Sequence, residues 1–313
     1  MDKQAKIYVA GHAGLVGSAI VRNLQSRGFT NIIGKRSSEL DLTRQVDVER
    51  LFAAEKPEYV FLAAAKVGGI NANNTHPAEF IYINSTIQSN VIHSAYLCGV
   101  KKFMFLGSGC IYPKKPPQPI KEEYLLTGEL EKTNEAYAIA KIAGLKMCEF
   151  YNRQYGTDYI SCMPANLYGT GDNFNLENSH VVPALIRKVC EAKERNDTAI
   201  TIWGTGSAYR EFLHVDDMAD ACVFLMENYS GNETVNVGTG NDITIMELIQ
   251  KICKIADFNG EIVCDTTKPD GTPRKLLDSS KLFSMGWKPK ISFDDGLRAT
   301  YEDYLINRGL YRK

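Results

Sequence analysis

Short apolar runs alternate with amphipathic stretches through the first half of the chain. Residues 6–10, 31–34, 59–63, 102–106 and 159–163 are dominated by apolar side chains, are too short for helices, and are separated by segments with helical spacing. That alternation predicts an α/β fold, a Rossmann-type doubly wound parallel sheet. The pattern also predicts a helix from a cap at Thr133-Asn134-Glu135 to near Gly156, with Ala140, Ala143 and Gly144 forming a small-residue face for close packing. A second long helix is expected over about 77–99. After Tyr168 the alternation loosens into Gly-rich turns and the Pro-rich stretch 268–273. We therefore expect a first domain over residues 1–168, to which later segments return, and a smaller, mainly C-terminal α/β domain over 169–313.

The turn after the first strand reads Gly11-His12-Ala13-Gly14-Leu15-Val16-Gly17 and opens a helix. A dinucleotide-binding fingerprint requires that context. One glycine makes the tight turn, one lets backbone approach a pyrophosphate, and one allows close helix–sheet packing, while the helix N-terminus offers N–H donors. The second strand ends Ile32-Ile33-Gly34-Lys35-Arg36, where an NAD site would usually place a carboxylate for the ribose 2′-hydroxyl. Lys35 or Arg36 can instead neutralise a 2′-phosphate, so the pattern predicts NADP(H). Asp41 and Leu42 are expected at the adenine end.

Tyr137 and Lys141 form the sole Tyr-x-x-x-Lys in the chain and fall on a predicted helix, where positions i and i+4 share a face. A phenol with a reference pKa of about 10 is a poor acid–base catalyst near neutrality unless a cation stabilises its ionised form. Lys141 is placed to be that cation, which points to hydride transfer.

Charge and composition narrow the partner to a small molecule. The 313 residues carry a formal charge of -1 without long Lys/Arg runs, so nothing electrostatic favours nucleic acid or an anionic membrane. No apolar stretch approaches a membrane span, and residues 1–5 leave no room for a signal peptide before the first strand. A soluble, cytoplasmic protein is expected. The eight cysteines lack Cys-x-x-Cys spacing and the five histidines form no cluster, so neither a metal nor a disulfide is expected. Most cysteines sit among apolar neighbours as small hydrophobes. Cys110 is set apart from them.

Further motifs extend the pattern along the chain. Ala63-Ala64-Ala65-Lys66-Val67-Gly68-Gly69-Ile70, Ser108-Gly109-Cys110-Ile111-Tyr112-Pro113, Ala136-Tyr137-Ala138-Ile139-Ala140-Lys141, Pro164-Ala165-Asn166-Leu167-Tyr168-Gly169 and Trp203-Gly204-Thr205-Gly206 join the glycine-rich turn. Together they resemble the extended short-chain dehydrogenase/reductase family of nucleotide-sugar enzymes over nearly the whole chain. Within it they are similar to the branch that inverts C3 and C5 of GDP-4-keto-6-deoxy-mannose and reduces C4 with NADPH, giving GDP-L-fucose. Related dehydratases carry an acidic pair after the catalytic hydroxyl residue, whereas this chain has Gly109-Cys110.

The resemblance implies a role for each site residue. C3 and C5 both flank the C4 ketone, so loss of either proton gives an enolate whose charge falls on O4, where Ser108 and Tyr137 can donate hydrogen bonds. Cys110 and His180 match the family's proton-transfer pair, with reference pKa values of about 8.5 and 6.5. Hydride then reaches C4, Tyr137 protonates O4, and Lys141 orients the nicotinamide ribose. Cofactor contacts are implied at residues 11–17, Leu106, Gly107, Ser108, Gly109, Lys141, Pro164, Ala165, Asn166, Leu167 and His180. For the GDP-sugar, Lys188 and Arg210 are implied near the diphosphate, Trp203 near the base or ribose, and Asp270 as a polar contact. Some members carry Arg where this chain has Ala13, which leaves more of the 2′-phosphate to Lys35 and Arg36. His214 is read as structural, beside a helix start capped by Asp216. A homodimer through the Tyr137 helix and the long helix before it is also implied. Two alternatives stay open: a C4 reductase of a related GDP-4-keto-6-deoxy sugar, such as a heptose, with little or no epimerisation, and an NADPH-binding redox sensor. Retention of Tyr137 disfavours the sensor.

Overall fold

The computed structural model describes residues 1–176, 179–268 and 270–311; Pro269, in the Pro-rich stretch 268–273, lies outside the described residues. In chain order the first half runs β1 (Ile7–Ala10), α1 (Leu15–Ser26), β2 (Ile32–Ile33), α2 (Gln45–Glu55), β3 (Tyr59–Leu62), α3 (Ile70–Thr75), α4 (Pro77–Leu97), β4 (Lys102–Leu106), α5 (Glu135–Tyr155) and β5 (Tyr159–Pro164). There follow β6 (Asn166–Tyr168), α6 (Val181–Arg195), β7 (Ala199–Trp203), β8 (Tyr209–His214), α7 (Val215–Asn228), β9 (Val235–Val237), β10 (Asp242–Thr244) and α8 (Ile245–Ala256). The chain closes with β11 (Glu261–Asp265), β12 (Arg274–Lys275), α9 (Ser280–Ser284) and α10 (Phe293–Tyr311). All five predicted strands are present.

Six strands pair in parallel in the order β2-β1-β3-β4-β5-β9, as the alternation of elements requires. Strand order reverses at β1, with β2 on one side and β3 on the other. Open α/β sheets bind ligands outside the carboxyl ends of the strands at such a reversal. Successive strand residues feed opposite faces. Ile7, Val9, Phe61 and Met104 pack with α1 and α7, whereas Tyr8, Val60, Phe103 and Phe105 pack with α2, α4 and α5. A further core, around Val189, Ile202, Phe212, Ile252 and Tyr304, joins α6, α8 and α10 to the β8 sheet and the β7–β11 pair.

Helix α5 starts and stops where the sequence predicts, Gly156 closing it at φ 68°. Its start differs in chemistry: the Asn134 side chain makes no capping bond, and a 3-10 turn over Lys132–Asn134 leads in, with the Glu131 carboxylate accepting from the Thr133 N–H. Close packing falls on Gly144, where an added Cβ would meet the Phe105 ring at 2.4 Å and Gln88 Oε1 at 2.6 Å. Ala143, expected on that face, is exposed. The cap of α7 is also corrected. His214 itself occupies the N-cap and its Nδ1 accepts from the Asp216 N–H at 3.3 Å, while the Asp216 carboxylate pairs with Arg22 of α1 at 2.6 Å.

Candidate functional site

The glycine-rich turn divides its work by position. Gly11 turns at φ 84°, and a Cβ there would stand 2.7 Å from the Ala64 backbone nitrogen at the end of β3. At Gly17 a Cβ would sit 2.0 Å from the Gly11 carbonyl oxygen, so helix and turn can be this close only without a side chain. Gly14 is the N-cap of α1; no side chain caps that terminus and its first turn holds no acidic residue. Its N–H groups and positive dipole end are left for an anion. The His12 ring lies against Gly34, where a Cβ would come within 2.3 Å of it.

Lys35 and Arg36 are exposed at the end of β2, and neither is paired with a carboxylate among the described residues. Asp41 is committed locally, its carboxylate accepting from the Thr43 N–H at 2.9 Å and hydroxyl at 2.7 Å, and these bonds lower its pKa. The Leu42 carbonyl accepts from Asn90 of α4. Ala13 is exposed on the turn.

Direct interactions link four of the five expected catalytic residues. Lys141 is buried on α5 and its Nζ donates to the Leu106 carbonyl at the end of β4, at 2.8 Å. The same nitrogen lies 5.0 Å from the Phe105 ring centroid and 5.8 Å from that of Tyr137. Tyr137 packs edge-on against Phe80 of α4. Directly after β4, Ser108 caps a 3-10 turn over Gly109–Ile111, accepting from the Cys110 N–H; its hydroxyl is near enough to the Tyr137 phenol and the Cys110 thiol to hold both pKa values down against burial. Gly107 is small by necessity, since a Cβ would meet the Met163 sulfur at 2.3 Å.

Electrostatics here depart from the sequence expectation. Burial pushes the Tyr137 phenol far up, Cys110 adds to the rise, and Ser108 opposes it, while the Lys141 ammonium donates to the Leu106 carbonyl. Lys141 is itself pushed down to about 8 by burial. Cys110 is raised by burial, with Lys275 as the strongest opposing influence. His180 makes none of these contacts. It is the N-cap of α6 but its ring makes no capping bond, and no hydrogen bond or ion pair among the described residues joins it to the Ser108 group. The residue is exposed overall, yet burial of the imidazole by the protein around it lowers its pKa and favours the neutral form.

Pro164 ends β5, Ala165 links it to β6, and Asn166 opens β6 with its Nδ2 donating to the Glu211 carbonyl at 2.8 Å. On the other side of the site, Lys188 of α6 reaches the Thr201 carbonyl at 3.4 Å and Arg210 of β8 is half-buried, its charge facing Asp270. Trp203 ends β7 with 55% of its surface exposed, an open stacking face that Lys268 flanks at 5.8 Å. Asp270 is spent on the turn after Trp203. Its carboxylate accepts from the Thr205 N–H at 2.6 Å and from the Thr205 hydroxyl.

This arrangement has relatives. The profile of the NAD dependent epimerase/dehydratase family matches residues 7–238, which span β1 to the end of the six-stranded sheet. The chain belongs to that family. Among members, a protein named putative GDP-L-fucose synthase 2 from Arabidopsis thaliana is 66% identical over 307 residues, covering 98% of this chain and 94% of the relative. GDP-L-fucose synthase of Escherichia coli (strain K12) is 52% identical, with all of both chains covered. The solved structure of a GDP-mannoheptose C4 reductase from Campylobacter jejuni with NADP bound is 45% identical, with a TM-score of 0.90 over 97% of this chain and 99% of that one.

Three residues of this epimerase/dehydratase site carry no sequence signal. Asn84, buried on α4, accepts from the Lys66 N–H at 2.8 Å and donates to the Lys66 carbonyl, fixing the loop behind Gly11. Glu211 is fully buried and accepts backbone N–H bonds from Thr239, Gly240 and Leu277 at 2.7–2.9 Å. Lys275 faces Cys110. Only pairing of distant segments places these side chains. No helix among the described residues is long and apolar enough to cross a membrane.

Proposed function

We propose that the chain is a bifunctional 3,5-epimerase and NADPH-dependent 4-reductase that converts GDP-4-keto-6-deoxy-D-mannose to GDP-L-fucose. The observation that carries this reading is the Cys110 thiol beside the hydroxyls of Ser108 and Tyr137, since a reductase alone has no use for a proton-transferring sulfur at that place. High identity to relatives named GDP-L-fucose synthase supports it. A C4 reductase of a GDP-heptose is the second reading, favoured by the similarity to the Campylobacter enzyme, at lower identity.

The residues fit NADP(H). Gly11, Gly14 and Gly17 leave a cradle at the uncapped start of α1, and unpaired Lys35 and Arg36 stand where a 2′-phosphate would lie. When bound, the cofactor supplies hydride to C4. Every other step falls to side chains. With the Cys110 thiol raised and the His180 imidazole lowered, the free protein holds one S–H to give a proton and one neutral nitrogen to take one. Ser108 and Tyr137 donate to O4 while enolate charge develops, and Tyr137, kept protonated by burial, delivers its proton to O4 as the ketone becomes an alcohol. Lys188 and Arg210 meet the diphosphate of the substrate and Trp203 stacks on its base or ribose. Residues 1–168, with β9 and α7, form the cofactor half, and the remainder mainly the substrate half.

The proposal includes a homodimer through α4 and α5, supported by exposed Tyr82, Ile139 and Phe150 on these helices. Eight free thiols accord with a cytoplasmic location. Incubation with NADPH and GDP-4-keto-6-deoxy-D-mannose, followed by NMR of the product, tests the function. GDP-L-fucose is expected; a product reduced at C4 with C3 and C5 unchanged would replace this reading with the second.

A further inference from the structure

We propose that Lys275 is a positioning residue whose ammonium stabilises the Cys110 thiolate while a proton passes through the sulfur. The inference rests on the reading of Cys110 as a proton-transfer group.

Lys275 and Cys110 line one narrow pocket, together with Tyr112, Glu131 and Arg274. The backbone on both sides of Lys275 is fixed. Strand β12 pairs in parallel with β8, opposing Arg274 to Tyr209 and Lys275 to Arg210. Arg274 is held by Asp242 through two bonds of 2.6 and 3.0 Å. Gln118 donates to the Arg274 carbonyl and accepts from the Leu276 N–H, the Ile120 N–H bonds the Leu276 carbonyl, and buried Glu211 takes the Leu277 N–H. These bonds fasten β12 and the two residues after it, and they leave the Lys275 side chain in the pocket with the sulfur. Among the described residues that ammonium makes no hydrogen bond and no ion pair, so its charge is unspent.

The other groups facing the sulfur are committed or neutral. From α5, Lys141 serves the Leu106 carbonyl and Tyr137 is a neutral phenol; Ser108 is a neutral hydroxyl near the thiol; Glu131 is paired with Lys114 at 3.1 Å. Arg210, opposite Lys275 on β8, repels its ammonium and is faced by Asp270. Burial raises the thiol, and Lys275 opposes that rise ahead of Ser108 and Lys141. An opposite charge within about 4–6 Å of an acid lowers its pKa by about 1–3 units.

The test is the pH dependence of Cys110 alkylation by iodoacetamide in the full-length protein, with Cys110→Ser subtracting the other thiols. In Lys275→Gln and Lys275→Met the inflection should move up by about one unit or more, which is about tenfold less thiolate at a fixed lower pH. Lys275→Arg should keep it near the wild-type position. The inflection is read and not the rate, because nucleophilicity rises with pKa and partly offsets the loss. Retained NADPH binding identifies the folded variants. An inflection unmoved in both neutral variants overturns the proposal, as does an upward shift of the same size in Lys275→Arg. Failure of the underlying reading shows elsewhere, as C3 and C5 exchange persisting in Cys110→Ser.

Discussion

Tyr137 and Lys141 illustrate how burial assigns protonation states that spacing cannot. The phenol is raised and stays protonated, the state needed by a donor to O4. Tyr137→Phe should cut C4 reduction by about 10²–10⁴-fold while C3 and C5 exchange continues at a reduced rate, Ser108 alone donating to O4. Substantial reduction in that variant would remove Tyr137 as proton donor. Lys141 is held as a buried cation with its pKa lowered to about 8, so below that pH it costs the fold about 3 kcal/mol. The unfolded chain binds this proton up to about pH 10.4 and the folded one does not, so wild-type stability rises through that window. Lys141→Met should therefore be more stable at pH 7, less what the lost Leu106 hydrogen bond contributes, and its advantage should shrink between pH 8 and 10. Urea midpoints at both pH values decide, and an advantage unchanged with pH contradicts the assignment. At the other end of the cofactor, Arg36→Glu should raise the KM for NADPH far more than that for NADH; equal changes would dissociate Arg36 from the 2′-phosphate.

Elements of the main sheet are set by local apolar runs, and contacts between elements are tight enough to test with single atoms. Gly144→Ala adds helix propensity worth about 1 kcal/mol, against overpacking of about 1–3 kcal/mol where the new Cβ meets Phe105 and Gln88. A lower Tm is expected, and a raised one would show that α4 and α5 can separate at no cost. The strands at residues 59–62 and 102–106 were legible because burial on both faces leaves a continuous apolar signature. Strand β12 was not, since Arg274 and Lys275 are polar and owe their extended form to pairing with β8. Caps were misread for a similar reason. At α7, His214, Asp216 and Asp217 all carry acceptors, and only geometry selects the imidazole. The glycine-rich turn, Ser108, Tyr137 and Lys141 were legible as motifs. Asn84, Glu211 and Lys275 were not, because each acts on backbone or sulfur far away in sequence.

At the scale of the whole molecule, Glu211 ties β8 to the segments after β9 and β12, so the sheet that carries Arg210 and Lys275 is anchored to the end of the six-stranded sheet. Glu211→Ala would leave buried N–H groups unsatisfied, at about 1–3 kcal/mol each, and should abolish substrate binding and folding stability together. Light scattering should give twice the chain mass of 34.9 kDa if α4 and α5 form the dimer face. In the proposed reaction one site both moves protons at the carbons flanking the ketone and delivers one to its oxygen. Incubating the protein with GDP-4-keto-6-deoxy-D-mannose in D2O without NADPH separates these two activities, because exchange needs no hydride. Deuterium at both C3 and C5, lost in Cys110→Ser and slowed but still present in Tyr137→Phe, where Ser108 alone donates to O4, is the predicted result. No deuterium at either carbon in the wild-type protein would contradict the account and leave a C4 reductase.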